Sequence, residues 1–164
     1  MELRAKIFLL RYPKESDVES WYKNYQDPEI AKNFMTVPKS IKEAKAELLV
    51  RDKNQELFVI DVSGEAVGTI DIHDIISGHK ATISYWVASK ARGQGIATDA
   101  VKLATAYALN KYKLKRVQGY VRTFNKPSAR VLEKAGYILE GTLRKNKLKN
   151  GVYLDDFIYA FVVD

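Results

Sequence analysis

The chain has 164 residues, 46% hydrophobic and 29% charged, a balance that excludes disorder and supplies enough apolar surface for one core. It contains no cysteine, which removes disulfides, thiolate metal sites and a cysteine nucleophile together, and the cytoplasm is the expected address. A formal net charge of +7 suits an anionic ligand (a phosphorylated cofactor, acidic lipid or nucleic acid), although a solvated lysine-rich surface gives the same number.

No apolar run approaches the roughly 18 residues of a membrane span, and the opening "MELRAKIFLLRYPKE" carries too short an apolar core for a signal peptide. A membrane partner is therefore not expected. Without an internal repeat or a Gly/Ser linker, residues 1–164 are expected to form one domain.

In chain order, Lys6–Tyr12 reads as a first strand. A helix follows with Ser16 or Asp17 placed to cap it and with Val18, Trp21, Tyr22 and Tyr25 on one side; Asp27-Pro28 interrupts it. Ser40 and Glu43 open another helix as a capping box. Glu56–Val62, Ala66–Ile75 and Ala81–Val87 are short and β-branched, separated by turns at Ser63-Gly64-Glu65 and near Gly78, the pattern of an antiparallel meander. Ile96, Ala100, Leu103, Ala104, Tyr107 and Ala108 then recur at helical spacing through Tyr112. "LKRVQGYVR" is a strand. "NKPSARVLEKAG" is a helix capped by Asn125, with Pro127 in its first turn and Gly136 at its end. Two last strands close as a hairpin around Lys149-Asn150-Gly151, giving a mixed α+β domain with seven strands.

Between the third meander strand and the long helix lies Arg92-Gly93-Gln94-Gly95-Ile96-Ala97, of the form R-x-x-G-x-A. Consecutive unpaired N–H groups at a strand-to-helix junction, with the helix dipole behind them, favour a bound anion, and glycine lets a phosphate approach. An ordinary strand–helix turn is the simpler reading of that pattern alone. The P-loop is excluded because no Lys-Ser or Lys-Thr follows the glycines, and the dinucleotide fingerprint because Thr98 stands where its third glycine belongs.

"SYWVASKARGQGIATDAVKLATAYAL" resembles the acetyl-coenzyme A motif of the GNAT acetyltransferase superfamily. "NKPSARVLEKAGYILEGTLR" is similar to the second signature of its RimJ/RimL-type branch of ribosomal-protein N-terminal acetyltransferases, and "NGVYLDDFIYAF" to that branch's closing hairpin. The likeness runs from about Lys6 to Val163. It implies a GNAT fold, a mostly antiparallel sheet with splayed central strands flanked by helices. It also implies direct transfer of acetyl from acetyl-CoA to an amine, without a metal.

By that resemblance the backbone of Arg92, Gly93, Gln94, Gly95, Ile96, Ala97 and Thr98 cradles the pyrophosphate, with the Arg92 side chain adding charge or fixing the loop. Val87 presents backbone groups to the pantetheine arm, and for this Tyr85–Ala88 must diverge from Arg116–Arg122. Asn125 joins a hydrogen bond to that arm to its capping role. Ser128, where some branches carry tyrosine, stabilises or protonates the leaving thiolate; simple satisfaction of its own helix turn is the alternative.

The strand before the glycines holds no acid, and Lys147 stands where the RimL-like branch places one, so the base is left among Asp71, His73, Asp74, Glu140, Asp155 and Asp156. Asp155 is equally explained by a salt bridge on the last strand. Trp21, Tyr22, Tyr25, Phe34 and Met35 lie where the family often forms one acceptor wall, although core packing is the simpler reading for most of them, and Thr36–Ser40 reads as a loop over it.

An α-amine, with a pKa of roughly 7.7–8.0 against about 10.4 for lysine-type amines, needs less help to become neutral. The expected acceptor is accordingly a protein N-terminus, of ribosomal-protein type. The alternatives are a polyamine, aminoglycoside or amino-acid-like acceptor, or a non-catalytic module that binds acetyl-CoA or RNA. The best basic run, Lys111–Arg116, sits at a helix-to-strand corner where solvated lysines are usual, which argues against nucleic acid as the main partner. A homodimer stays open.

Overall fold

Period-two alternation in the short segments and period-3.6 spacing in the long one give the elements of a computed structural model that describes all 164 residues. The strands are β1 (Glu2–Arg4), β2 (Leu9–Arg11), β3 (Glu56–Val62), β4 (Glu65–Ile76), β5 (Lys80–Val87), β6 (Arg116–Arg122), β7 (Ile138–Lys149) and β8 (Val152–Val162). The helices are α1 (Val18–Tyr25), α2 (Pro28–Ala31), α3 (Ile41–Leu49), α4 (Ile96–Tyr112) and α5 (Lys126–Lys134). All eight strands join one sheet in the order β1-β2-β3-β4-β5-β6-β8-β7, antiparallel at every step except β5–β6.

The sheet has one strand more than expected. The segment 6–12 is not one strand, because β2 covers only Leu9–Arg11, with β3 on one side and β1 on the other. A turn closed by the Ala5 N–H on the Phe8 carbonyl at 2.9 Å separates the pair. Asp17 also differs from expectation. Its carboxylate does not cap α1 but accepts from Arg11 Nη1 and Nη2 at 2.7 and 2.8 Å and from the Lys14 N–H at 2.7 Å. Arg11 Nε donates to Asp61 at 2.6 Å, and Asp61 accepts the Gly64 N–H at 2.7 Å. One buried guanidinium thus ties β2, the start of α1 and the β3–β4 turn. Ser40 caps α3 as expected, accepting the Glu43 N–H at 3.2 Å.

Strand alternation sends side chains to two layers. Trp86 packs with Trp21 and Tyr25 of α1, the Tyr25–Trp86 rings stacked at 5.2 Å. Phe58 meets Tyr107 of α4 edge-on at 5.4 Å, and Tyr85 reaches Ser128 of α5. The core between them includes fully enclosed Phe58, Ile60, Ile70, Ile72 and Leu132. At the β7–β8 tip, Asn150 and Gly151 take φ of 51° and 76°, the left-handed pair of a type I′ turn.

Candidate active site

β5 is paired with β4 along nearly its whole length, and β6 with β8 from Arg116 to Arg122. Between themselves β5 and β6 pair only over Lys80–Thr82 and Arg116–Gln118. Beyond that they part, each held by its outer neighbour, so Ile83–Val87 and Gly119–Arg122 face a slot with unpaired inner edges. The slot opens into a cleft of about 540 Å³ lined by Val87, Arg92, Gly93, Gly95–Thr98, Phe124, Asn125, Ser128 and Arg130, among others. The divergence expected of Tyr85–Ala88 and Arg116–Arg122 is therefore present, except for three paired residues at one end.

The glycine loop forms one end of the cleft. Gly93 and Gly95 both have φ of +77°, and a Cβ on either would meet nothing within 4 Å, so any side chain would project into open space. After Arg92, whose N–H bonds the Ser89 carbonyl, the first loop amide with a backbone acceptor is Asp99, bonded to the Gly95 carbonyl at 3.0 Å. The intervening N–H groups from Gly93 to Thr98 have no backbone partner, and α4 begins without a side-chain cap. Donors, dipole and open approach coincide at one point, which fits a diphosphate. Arg92 Nε donates to the Val87 carbonyl at 3.1 Å, so this side chain fixes the loop to the end of β5 and occupies one of the Val87 groups.

Ser128 and Asn125 come from α5 on the opposite wall. Asn125 Oδ1 accepts the Ser128 N–H at 3.3 Å, which caps α5 and leaves the amide nitrogen of Asn125 for the cleft it lines. Ser128 Oγ does more than satisfy its turn: it lies 2.9 Å from Tyr85 Oη, and Tyr85 also donates to the Ser128 carbonyl at 3.0 Å. Burial pushes the Tyr85 phenol well above its ordinary pKa, which keeps it a hydroxyl at neutral pH. Sequence reading passed over Tyr85 as one apolar position in an alternating strand. Its only sequence signal is a phenol in the strand that leads into the glycine loop.

Across β5 lies a second cavity of about 250 Å³, which shares Phe34, Tyr85 and Trp86 with the cleft. Trp21, Tyr25, Phe34 and Met35 of the expected acceptor wall line it, with Thr36 beside them, while Tyr22 does not. The loop Thr36–Ser40 is anchored to α1, with Gln26 Nε2 donating to the Pro38 carbonyl at 2.8 Å and Tyr22 Oη to the Lys39 carbonyl at 3.2 Å. Asp71 and Glu47 are the acids here. Both carboxyls are pushed above their ordinary values, chiefly by burial, with Asp71 adding repulsion at Glu47. Gln55 Nε2 donates to both Asp71 oxygens at 2.9 Å.

The other acids considered as bases lie elsewhere. Glu140 makes a two-point pair with Arg116, Asp74 is exposed beside His73, and none of the three lines either cavity. The salt bridge on the last strand belongs to Asp156, not Asp155. Asp156 is fully buried against Arg122 and accepts from Asn146 at 2.8 Å, whereas Asp155 accepts the Lys145 N–H at 2.7 Å. Glu47, the seventh residue of a helix read only for its cap, was missed altogether. Three of the four basic residues at the α4–β6 corner are paired: Lys111 with Glu56, Lys115 with the Asp164 carbonyl at 2.7 Å and Arg116 with Glu140.

Comparison with known proteins places this geometry. Residues 8–138 match the acetyltransferase (GNAT) domain family. The chain is 37% identical over 119 residues to the probable N-acetyltransferase YjcK of Bacillus subtilis, covering 71% of this chain and 66% of that one, just under two-thirds of its length. It is 27% identical over 157 residues to the L-amino acid N-acetyltransferase AaaT of Escherichia coli, covering 94% and 97%. A GNAT-family acetyltransferase structure from Bacillus anthracis superposes with a TM-score of 0.89 at 23% identity, covering 99% and 98% of the two chains. No helix is long and apolar enough to cross a membrane. With a family match over most of its length and a sheet split beside an uncapped glycine loop, the chain belongs to the acetyltransferase (GNAT) domain family.

Proposed function

We propose that residues 1–164 act as one N-acetyltransferase domain whose acceptor is an α-amine, that of a protein or peptide N-terminus. One observation carries the reading: the split between β5 and β6 joins a cleft fit for a diphosphate-bearing cosubstrate to a separate acid- and aromatic-lined cavity, with Tyr85 at the junction. In this reading the amides from Gly93 to Thr98 hold the pyrophosphate, with Arg92 fixing their loop. The free inner edge of β5 near Val87, together with Asn125, holds the pantetheine arm. Acetyl-CoA, the cosubstrate of the family, supplies an activated acetyl thioester.

The chain's own groups manage two protons. Asp71 accepts one from the incoming ammonium, so that the amine carries a free electron pair, and its raised pKa brings its basicity closer to that of the amine it serves. Tyr85 and Ser128 share a hydrogen at the cleft floor, available to the sulfur that departs. The second N–H proton, shed as the amide forms, returns to the Tyr85–Ser128 pair that has protonated the thiolate, so the one net proton released leaves through Asp71. No metal enters this scheme.

Deprotonating an α-amine rather than a lysine-type amine saves about 2.5 pH units, about 3.4 kcal/mol, which suits a single half-buried carboxylate. The presence of two carboxyls, Glu47 and Asp71, favours a second reading, a polyamine with two cationic centres. Relatives carry names for L-amino acid, ribosomal-protein-serine and spermidine acetylation, so their names support both. Release of CoA thiol from acetyl-CoA, followed with N-terminal peptides, free amino acids and spermidine at pH 7, decides between them. Faster turnover of α-amines is expected, and a preference for spermidine overturns this choice of acceptor.

A further inference from the structure

Trp21 is 2% exposed, held edge-on by Tyr25 at 4.9 Å between ring centroids and next to Trp86 at 6.1 Å, yet its Nε1–H has no acceptor in the folded chain. A buried donor left without an acceptor is costly, and such groups in native structures are few. Trp21 is one of the residues lining the acceptor cavity, together with Asp71 and Glu47. The side-chain amide of Gln55, another donor there, is committed to Asp71.

The two kinds of group ask for different things. The carboxyls attract a cation, whereas the indole donates one hydrogen bond and cannot accept. A ligand that answers both carries an ammonium and an acceptor oxygen a few ångströms apart. An α-amine next to its own carbonyl has that arrangement, and an alkyl diamine does not: its groups only donate when charged, and the indole would stay unpaired.

We propose that Trp21 Nε1 is a specificity determinant, donating to the carbonyl oxygen of the residue whose α-amine is acetylated. The inference rests on the reading of the second cavity as the acceptor site. It selects amino-acyl amines over polyamines by a hydrogen bond, independently of amine basicity. It also gives Trp21 a role separate from its packing.

The test uses a matched pair, L-alaninamide and isopropylamine, the second lacking the carbonyl. The chain has two tryptophans, so a ¹⁵N-labelled sample gives two indole signals, assigned with a Trp86→Phe variant. With CoA present, L-alaninamide is expected to move the Trp21 indole N–H and isopropylamine to leave it in place. In turnover, kcat/KM corrected for the neutral amine fraction is expected to favour L-alaninamide at least tenfold. In Trp21→Phe that preference is expected to vanish through loss on L-alaninamide alone, with CoA still raising the Tm as proof of folding. Equal indole shifts with both amines, no shift with either, or no wild-type discrimination overturns the proposal, whether or not the variant folds. Acetylation of neither amine, with the indole shift intact, instead counts against the acetyltransferase reading and leaves the binding role standing.

Discussion

Tyr85 changes what Ser128 is for. Alone at the start of a helix, a serine is accounted for by its turn, but with a protonated phenol at 2.9 Å it belongs to a two-hydroxyl unit at the cleft floor. Ser128→Ala and Tyr85→Phe are each expected to lower kcat by about 100-fold, the lower end of the range for positioned proton donors, with little change in KM for acetyl-CoA. If the pair works as a unit, the double variant loses no more than the worse single one. Steady-state kinetics of the four proteins check this, and additive losses would separate the two hydroxyls. Asp71 carries a pH signature. Its carboxyl holds a proton to higher pH in the folded chain than the ordinary value of 3.8, so as a base it gains activity as pH rises through its raised pKa. Asp71→Asn is expected to remove that rising limb. The folded state also binds more protons than the unfolded chain between the two values, so Asp71 costs stability progressively as pH rises through that window. Urea midpoints should show Asp71→Asn more stable than the parent at pH 7, with the advantage fading below pH 3.8.

At the scale of elements, legibility followed the range of the forces. α5 was readable to its ends because Asn125, Pro127 and Gly136 act within a turn of themselves, and Gly136 indeed stops the chain at φ +91°. The meander and the 149–151 turn were readable for the same reason. The first strand was not, because its start at Leu9 is set by pairing with β1 across a turn and with β3, some fifty residues away. Asp17 was misread as a cap because its partner Arg11 comes from a different element. The site divides likewise: the glycine loop shows in local spacing, whereas Tyr85 and Glu47 become meaningful only when β5, α3 and α5 meet around two cavities. Asn125 joins both kinds, and its roles separate by substitution. Asn125→Ala is expected to cost about 1 kcal/mol through the lost cap. That lowers Tm by roughly 2–4 °C for a domain of this size. Asn125→Asp keeps an oxygen for the Ser128 N–H but removes the amide donor, so it should restore Tm and still weaken acetyl-CoA binding. Calorimetry with and without acetyl-CoA tells them apart, and full recovery of affinity in Asn125→Asp would reduce Asn125 to a cap.

The whole molecule is a sheet joined at its waist by three residue pairs, with β1–β5 on one side and β6, β8 and β7 on the other. A ligand lying along the slot touches both halves, so its binding should be felt as stability of the entire fold. At about 100 times its Kd a ligand adds ~2.7 kcal/mol. At roughly 2–4 °C per kcal/mol, that is a rise in Tm of about 5–11 °C for CoA or acetyl-CoA. Gly95→Trp tests whether the loop is where that energy enters. Its φ of +77° disfavours any side chain, which costs on the order of 1–2 kcal/mol, but nothing within 4 Å obstructs a Cβ, so the fold should survive with a lower Tm. The indole would then project where a diphosphate must lie, and the ligand-induced rise should disappear. Hydrogen exchange localises the same event. The inner edges at Ile83–Val87 and Gly119–Arg122 lack partners across the slot, and added CoA should slow exchange more along β5 than in the β7–β8 hairpin. An undiminished rise in Gly95→Trp, or protection confined to the hairpin, would move the cosubstrate out of the slot and with it every role assigned around Tyr85.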